Sequence, residues 1–334
     1  DQDANWASDA ISNWYGGERR DHYGLAIHSG RTGGGNQPLV EAIVNNEYPG
    51  IARGTALTLL RQPYSQQVAE VIQGALQNAD PFVRLGALRA LPGLQQDLQA
   101  DWAAPLLSDR IRTIRTEAAR VISPLRDTLQ VRYEGAFRLA ERELVDSMLA
   151  INERPEAQIN LGNLYVESGD ASLGEAAFRA ALRMEPGSAG PRVNLADLLR
   201  RIDRNAEAEV LLREGIAMSP AEASSHHALG LHLVRNENQQ SGLAELQSAA
   251  ELQPENSRYA YVFAVALNSL GQPAEAVEYL YEVKSDFPGD FDIHWALATM
   301  LRDQGRNDEA RAVAEELAEI YPGVAPLQNL LLAL

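Results

Sequence analysis

NLGNLYVESGDASLGEAAFRAALRMEPGSAGPRVNLADLL, residues 160–199, holds one full period of a pattern that fills the C-terminal half of the chain. Asn160-Leu161-Gly162-Asn163-Leu164 returns 34 residues later as Asn194-Leu195-Ala196-Asp197-Leu198. Leu229, Phe263 and Leu297 continue the large apolar position of Leu161 and Leu195, and Gly230, Ala264 and Ala298 continue the small one beside it. Tyr165, Leu199, Leu233, Leu267 and Leu301 form a third register, and Phe178, Leu212, Leu246, Leu280 and Ala314 a fourth. Pro186, Pro220, Pro254, Pro288 and Pro322 punctuate every period. Alternating large and small apolar positions, closed by a proline, predict two antiparallel helices per unit packed through the small residues.

A 34-residue period of this kind resembles the tetratricopeptide repeat. Five units are expected, within 155–324, giving an all-α, right-handed helical-repeat solenoid. Gly169, Gly271 and Gly305 fall in the turn between the helices of units one, four and five; Asp203 and Glu237 replace them in units two and three, which predicts a different C-cap there. Residues 325–334 read as a short Leu-rich helix that covers the last unit or serves as a self-association surface.

Outward to the N-terminal side, a second repeat has a period of 31. Ile51-Ala52-Arg53-Gly54-Thr55-Ala56-Leu57 aligns with Phe82-Val83-Arg84-Leu85-Gly86-Ala87-Leu88 and with Thr113-Ile114-Arg115-Thr116-Glu117-Ala118-Ala119. Residues 37–127 look like HEAT repeats. The equivalent Arg53, Arg84 and Arg115 predict a structural ladder between repeats, the alternative being an anion-binding ladder. Residues 128–152 read as one long amphipathic helix, within an adapter 128–154. Residues 1–36 read as an N-terminal cap: an aromatic helix with Trp6, Ile11, Trp14 and Tyr15, ended by Gly16-Gly17, then a short helix capped by Asp21 that stops before Gly30. The run Gly33-Gly34-Gly35 reads as a flexible joint.

Composition bounds the function. The chain has 334 residues and a net charge of −17. Residues 155–334 carry −14 of it, so a nucleic-acid partner is disfavoured and a basic protein suits the array better. There is no cysteine, which removes disulfides, thiolate catalysis and covalent haem attachment within this chain. No apolar run is long enough to span a membrane. No catalytic motif is visible, so a non-enzymatic role is expected. The histidines His226, His227 and His232 have poor spacing for a helical metal pair.

In a superhelix of this type the first helix of each unit lines the concave face. The candidate groove residues are Asn163, Asn194, Asp197, Arg201, His227, Arg235, Tyr261, Trp295 and Arg302, a mixture suited to anchoring a protein or peptide. Asn163 and Asn194 resemble the asparagines of peptide-binding tetratricopeptide clamps, whereas Ile159, Ser224 and Ala228 stand where the clamp has basic residues. A clamp on a C-terminal carboxylate is therefore not expected.

Across the whole chain, Arg20-Asp21-His22-Tyr23-Gly24, Ala26-Ile27-His28-Ser29-Gly30-Arg31 and Arg258-Tyr259-Ala260-Tyr261-Val262-Phe263, with the repeat stretches above, are similar to the C-terminal region of multihaem c-type cytochromes carrying HEAT-like and tetratricopeptide repeats. That resemblance implies a periplasmic or extracellular setting, any signal peptide being absent or removed. It implies no haem in this chain, but a haem-bearing polypeptide as a partner, with His22 and His28 as axial ligands supplied in trans. The expected function is a protein–protein interaction scaffold; the alternatives are an accessory subunit of an electron-transfer assembly and a self-assembling filament subunit.

Overall fold

The computed structural model describes residues 4–15 and 22–334. The described chain is all helical. Its helices are α1 (Ala4–Tyr15), α2 (Tyr23–Thr32), α3 (Gln37–Val44), α4 (Gly50–Thr58), α5 (Gln66–Ala75), α6 (Pro81–Ala90), α7 (Gln96–Ala103), α8 (Arg112–Ile122), α9 (Glu134–Leu149) and α10 (Pro155–Glu167). There follow α11 (Ala171–Met184), α12 (Ala189–Arg201), α13 (Asn205–Met218), α14 (Ala223–Arg235), α15 (Gln239–Leu252), α16 (Ser257–Ser269), α17 (Pro273–Val283), α18 (Phe291–Asp303), α19 (Asn307–Ile320) and α20 (Ala325–Ala333). From α10 to α19 the helices pair into the five units expected from the period; α12 packs on both α10 and α14, and α16 packs on α18.

The small register does what the pattern required. A Cβ on Gly162 would lie 2.4 Å from the Phe178 ring, and one on Gly230 2.7 Å from Leu246, so each pair of helices closes over a residue too small to hold them apart. In the N-terminal repeats α4 and α6 approach more closely still. A Cβ on Gly86 would lie 2.4 Å from the Gly54 carbonyl oxygen, and one on Gly54 2.3 Å from that of Phe82. Three apolar cores result: one within residues 39–140, one within 178–233 and one within 246–330.

The arginine ladder is structural. Arg53 Nε donates to the Ile43 carbonyl at 2.7 Å. Arg84, almost wholly buried, pairs with both carboxylate oxygens of Asp109 at 2.9 and 3.2 Å and donates to the carbonyls of Asn78 and Ala79. Arg115 repeats the arrangement with Glu143 at 2.9 and 2.7 Å and with the Asp109 carbonyl at 2.8 Å. The guanidinium groups of Arg84 and Arg115 are filled by carboxylates of the turn before α8 and of α9 and by carbonyls of the turns that precede them, so these two are not free cations for an anion.

A comparable strut recurs in the C-terminal array, at the fourth position of units one to three. Gln158 Nε2 donates to the Asn152 carbonyl at 2.9 Å, Arg192 to that of Pro186 at 2.5 Å, and His226 Nε2 lies 3.0 Å from that of Pro220. Three different side chains serve the carbonyl six residues earlier, tying each first helix to the loop that enters it.

Four expectations are corrected. First, the adapter is not one helix over 128–152: residues Ser123–Thr128 and Val131–Tyr133 are 3-10 turns, and the helix is Glu134–Leu149. Val131 and Leu139 stay exposed instead of joining an apolar face. Second, α2 does not stop before Gly30. It runs to Thr32, with Gly30 buried against Leu39, and its N-cap is His22; Gly16, Gly17 and Asp21 lie outside the described residues. Third, units two and three have no different C-cap. Asp203 and Glu237 adopt the same left-handed conformation, φ 60° and 64°, as Gly169, Gly271 and Gly305 at 84°, 81° and 74°. The amide after each one closes back to the carbonyl five residues earlier, as in Arg204 to Leu199 at 2.8 Å and Asn238 to Leu233 at 2.9 Å.

Fourth, the glycine run is not a flexible joint but half of a seam. A Cβ on Gly33 would lie 2.4 Å from the Pro288 carbonyl oxygen, and one on Gly289 2.4 Å from the carbonyl of Gly33. A Cβ on Gly35 would lie 2.8 Å from the Ile320 carbonyl. Positive φ at Gly33 and Gly35, 93° and 73°, folds the run into this contact. The solenoid thus curls until its N-terminal turn meets the loops of units four and five. The terminal helix α20 buries Leu327 and Leu330 in the last core and leaves Leu332 outside.

Candidate functional site: the concave crevice of repeats one to three

The first helices α10, α12 and α14 present their inner faces to a crevice of about 400 Å³. Stacking units in register brings residues 34 apart in sequence onto neighbouring rungs, so the crevice is built from the same few positions of successive units. Of the nine residues expected in the groove, Asn163, Asn194, Asp197, Arg201, His227 and Arg235 line it. Val166, Val193 and Leu231 supply apolar surface between them.

The polar groups are partly engaged with one another. Asn194 Nδ2 donates to Asn163 Oδ1 at 2.9 Å, an amide pair that bridges units one and two. This leaves Nδ2 of Asn163 and Oδ1 of Asn194 as a neighbouring donor and acceptor. Asp197 receives Arg200 at 2.8 Å and Arg201 at 2.9 Å, and these two arginines hold its carboxyl below the usual range although burial opposes them. Burial pushes Glu167 up, against the pull of Arg120 and Arg201. His227 packs at a tilt of 35° against Tyr259 with ring centroids 4.7 Å apart, and its Nδ1 is buried with no hydrogen-bond partner. Burial, with Arg258 and Arg235 nearby, brings His227 down to about 4, so the ring is neutral at pH 7. The lining carries three arginines, Arg200, Arg201 and Arg235, against Asp197 and Glu167. A locally positive crevice therefore opens in the acidic half of the chain.

The other three expected groove residues stand further along the array. Tyr261 lies under the Arg258 guanidinium, 5.7 Å from the ring centre. Trp295 stacks on Phe291 at 5.7 Å, and Arg302 pairs with Asp303 at 2.7 Å. The sequence reading did not single out Glu167 or His232 as lining residues; a carboxylate and a second histidine on a helix of mixed character gave no signal of their own. At the other end of the chain, His22 Nδ1 accepts from the Gly24 amide at 3.0 Å, and His28 lies on the same helix, α2. Among the described residues no three His, Asp or Glu side chains converge as metal ligands, and no helix is long and apolar enough to cross a membrane.

Comparison with known proteins identifies the repeat. Family models described as tetratricopeptide repeat match residues 159–223 and 227–290, and another of the same description matches 267–334. The chain is 24% identical over 205 residues to cellulose synthase operon protein C of Xanthomonas axonopodis pv. citri, covering 61% of this chain and 12% of that protein. It is 29% identical over 169 residues to a TPR repeat-containing protein of Pseudomonas aeruginosa, covering 50% of this chain and 66% of that one. The chain thus spans a small part of the first relative and just under two thirds of the second. Among solved structures it is similar to PilF of Pseudomonas aeruginosa, at 22% identity and a TM-score of 0.45, covering 54% of this chain and 82% of that one. It is also similar to MamA of Desulfovibrio magneticus RS-1, at 14% identity and 0.42, covering 51% and 97%. With the five helix pairs in place and the repeat models covering more than half of its length, the chain belongs to the tetratricopeptide-repeat proteins.

Proposed function

We propose that this chain is a non-enzymatic scaffold that seats an extended peptide or protein segment in the crevice of repeats one to three. The observation that carries the reading is the Asn163–Asn194 pair. Its remaining donor and acceptor lie side by side over an apolar floor, and a peptide bond offers the matching acceptor and donor in return. The unpartnered His227 Nδ1 is one further atom for a ligand to satisfy. The arginines of the lining favour a segment carrying an acidic side chain at that point, while the surrounding acidic surface disfavours long acidic runs.

The resemblance to the cytochrome repeat region adds one specific partner to this proposal, a haem-bearing polypeptide in a periplasmic or extracellular setting. His22 and His28 are its candidate ligands; since His22 Nδ1 caps α2, Nε2 is the atom that would face an iron.

The test is selection of a displayed peptide library on the intact chain, followed by calorimetric titration of enriched peptides. A variant with Asn163→Ala and Asn194→Ala should bind them at least about tenfold more weakly, since two hydrogen bonds at about 1 kcal/mol each are lost. Equal affinity for parent and variant, or no enrichment, would overturn the reading.

A further inference from the structure

The seam between the N-terminal turn and the loops of repeats four and five is built around glycine backbone. It joins segments more than 250 residues apart in sequence, yet none of the three apolar cores crosses it. Its closest approaches are backbone against backbone: Gly33 on Pro288 and Gly289, and Gly35 on Ile320. A polar contact crosses it where the Arg61 guanidinium stands beside the phenol of Tyr321, which is almost wholly buried and whose hydroxyl donates to the Gly289 carbonyl on its own side of the seam at 2.9 Å. Arg61 also holds the turn from behind. Its amide and carbonyl exchange hydrogen bonds with the Asn36 side chain at 2.8 and 2.7 Å, and its Nε donates to the Gly30 carbonyl at 3.3 Å. A contact held by backbone fit and the Arg61–Tyr321 approach, without a shared apolar core, opens more readily than the helix stacks on either side of it.

The seam is also connected to the concave face. Tyr321 meets Phe291 edge-on at 5.3 Å, and Phe291 stacks on the groove residue Trp295 at 5.7 Å. Three rings in sequence thus run from the seam into the groove of unit five.

We propose that this seam is a releasable clasp that closes the solenoid on itself, and that the Tyr321–Phe291–Trp295 stack couples its opening to the state of the groove. The closed ring fixes the curvature of the array. Opening it withdraws Arg61 and the glycine turn from Tyr321, frees the stack to re-pack and lets the groove change its width. By reciprocity, whatever disturbs or engages Trp295 shifts the clasp. The coupling stands on the ring stack alone and does not depend on which partner the crevice of repeats one to three accepts.

The chain has no cysteine, so Gln37→Cys with Glu319→Cys places one spin label on each side of the seam. Pulsed dipolar spectroscopy on the full chain reads the distance between them. The parent pair should give one short, narrow distribution in a monomeric sample. Adding Gly33→Val or Gly289→Val, which puts a side chain where a carbonyl oxygen sits, should shift the distribution outward and broaden it with helix content and mass unchanged. If either valine variant loses helix content, Tyr321→Phe, which removes the hydroxyl that faces Arg61 across the seam, takes its place with the same expectation. Trp295→Ala, remote from the seam, should broaden the distribution too. A broad distribution in the parent would overturn the closed ring. A narrow one in the seam variants would overturn the clasp, and a narrow one in Trp295→Ala would overturn the coupling. None of these measurements uses a peptide, so they fail or succeed apart from the crevice reading.

Discussion

Replacing Glu237 with glycine should stabilise the chain, although it removes a charged residue from a helix end. Glu237 sits at φ 64°, where a β-carbon crowds the following carbonyl, at a cost of about 1–2 kcal/mol relative to the right-handed region. Glycine removes that strain but enlarges the unfolded ensemble, at about 0.4–1 kcal/mol. The side chain is exposed, so nothing else opposes the exchange. The net gain is therefore about 0.5–1 kcal/mol. Asp203, at φ 60°, is a residue type that tolerates this conformation better, so Asp203→Gly should gain less. The two sites lie in separate turns and their effects should add. Gly169→Ala is the mirror experiment: no atom lies within 4 Å of its Cβ position, so a loss of about 1 kcal/mol would be purely conformational. Thermal and urea unfolding followed by circular dichroism would measure all three, with a shift of about 1–2 °C per kcal/mol for a chain of this size. A destabilised Glu237→Gly, or a neutral Gly169→Ala, would refute the reasoning, because the shared backbone conformation would then carry no cost.

Arg84→Ala should destabilise by about 3–5 kcal/mol, because it leaves Asp109 buried without its bidentate partner; Asp109→Asn should cost less, and urea unfolding would separate them. Gly86→Ala should cost at least about 1–3 kcal/mol, since α4 and α6 must part to admit a methyl group beside the Gly54 carbonyl, and an unchanged unfolding midpoint would contradict the close approach. His227, brought down to about 4 from 6.5, stays neutral in the fold while the unfolded chain takes up a proton. Stability should thus be full above about pH 6.5 and fall as the pH drops towards 4, and His227→Gln should flatten that segment of the stability profile; a profile identical to the parent's would remove His227 as its source.

Much of this architecture is legible in the sequence because repetition enforces it. The small positions at Gly162, Ala196 and Gly230 and the prolines at 34-residue intervals each restrict one packing contact, and five copies make the restriction visible. Six of the nine groove residues meet in one crevice because stacking in register turns sequence spacing into adjacency. What escaped the reading is what repetition does not mark. Gln158, Arg192 and His226 share no side-chain chemistry, and only the carbonyl that each one serves makes them equivalent. Asp203 and Glu237 look like replacements that should change the turn, yet the amide that closes back to Leu199 or Leu233 dictates the conformation and overrides the preference of the residue placed there. The break of the adapter into 3-10 turns follows Pro124, whose ring cannot continue the bonding of α8.

The seam is the least legible feature, and the reason is geometric. Each repeat contacts only its neighbours, so the sequence specifies a rotation per unit and leaves the sum of those rotations unstated. A small error per unit accumulates along the chain, and two ends that must meet cannot rely on an interlocked apolar surface with a tolerance of a few tenths of an ångström. Glycine backbones at Gly33, Gly35 and Gly289 relax that requirement, because the closest approaches carry no side chains to misfit. The same glycines read as a flexible joint when only the sequence is considered, since freedom of backbone angle serves mobility and close contact alike. Which of the two a glycine run provides is decided by what stands opposite it, here the carbonyls of Pro288 and Ile320. The curvature of the groove is therefore set by the whole array and held by its two ends, and a partner seated anywhere on the concave face meets a surface whose shape depends on a contact it does not touch.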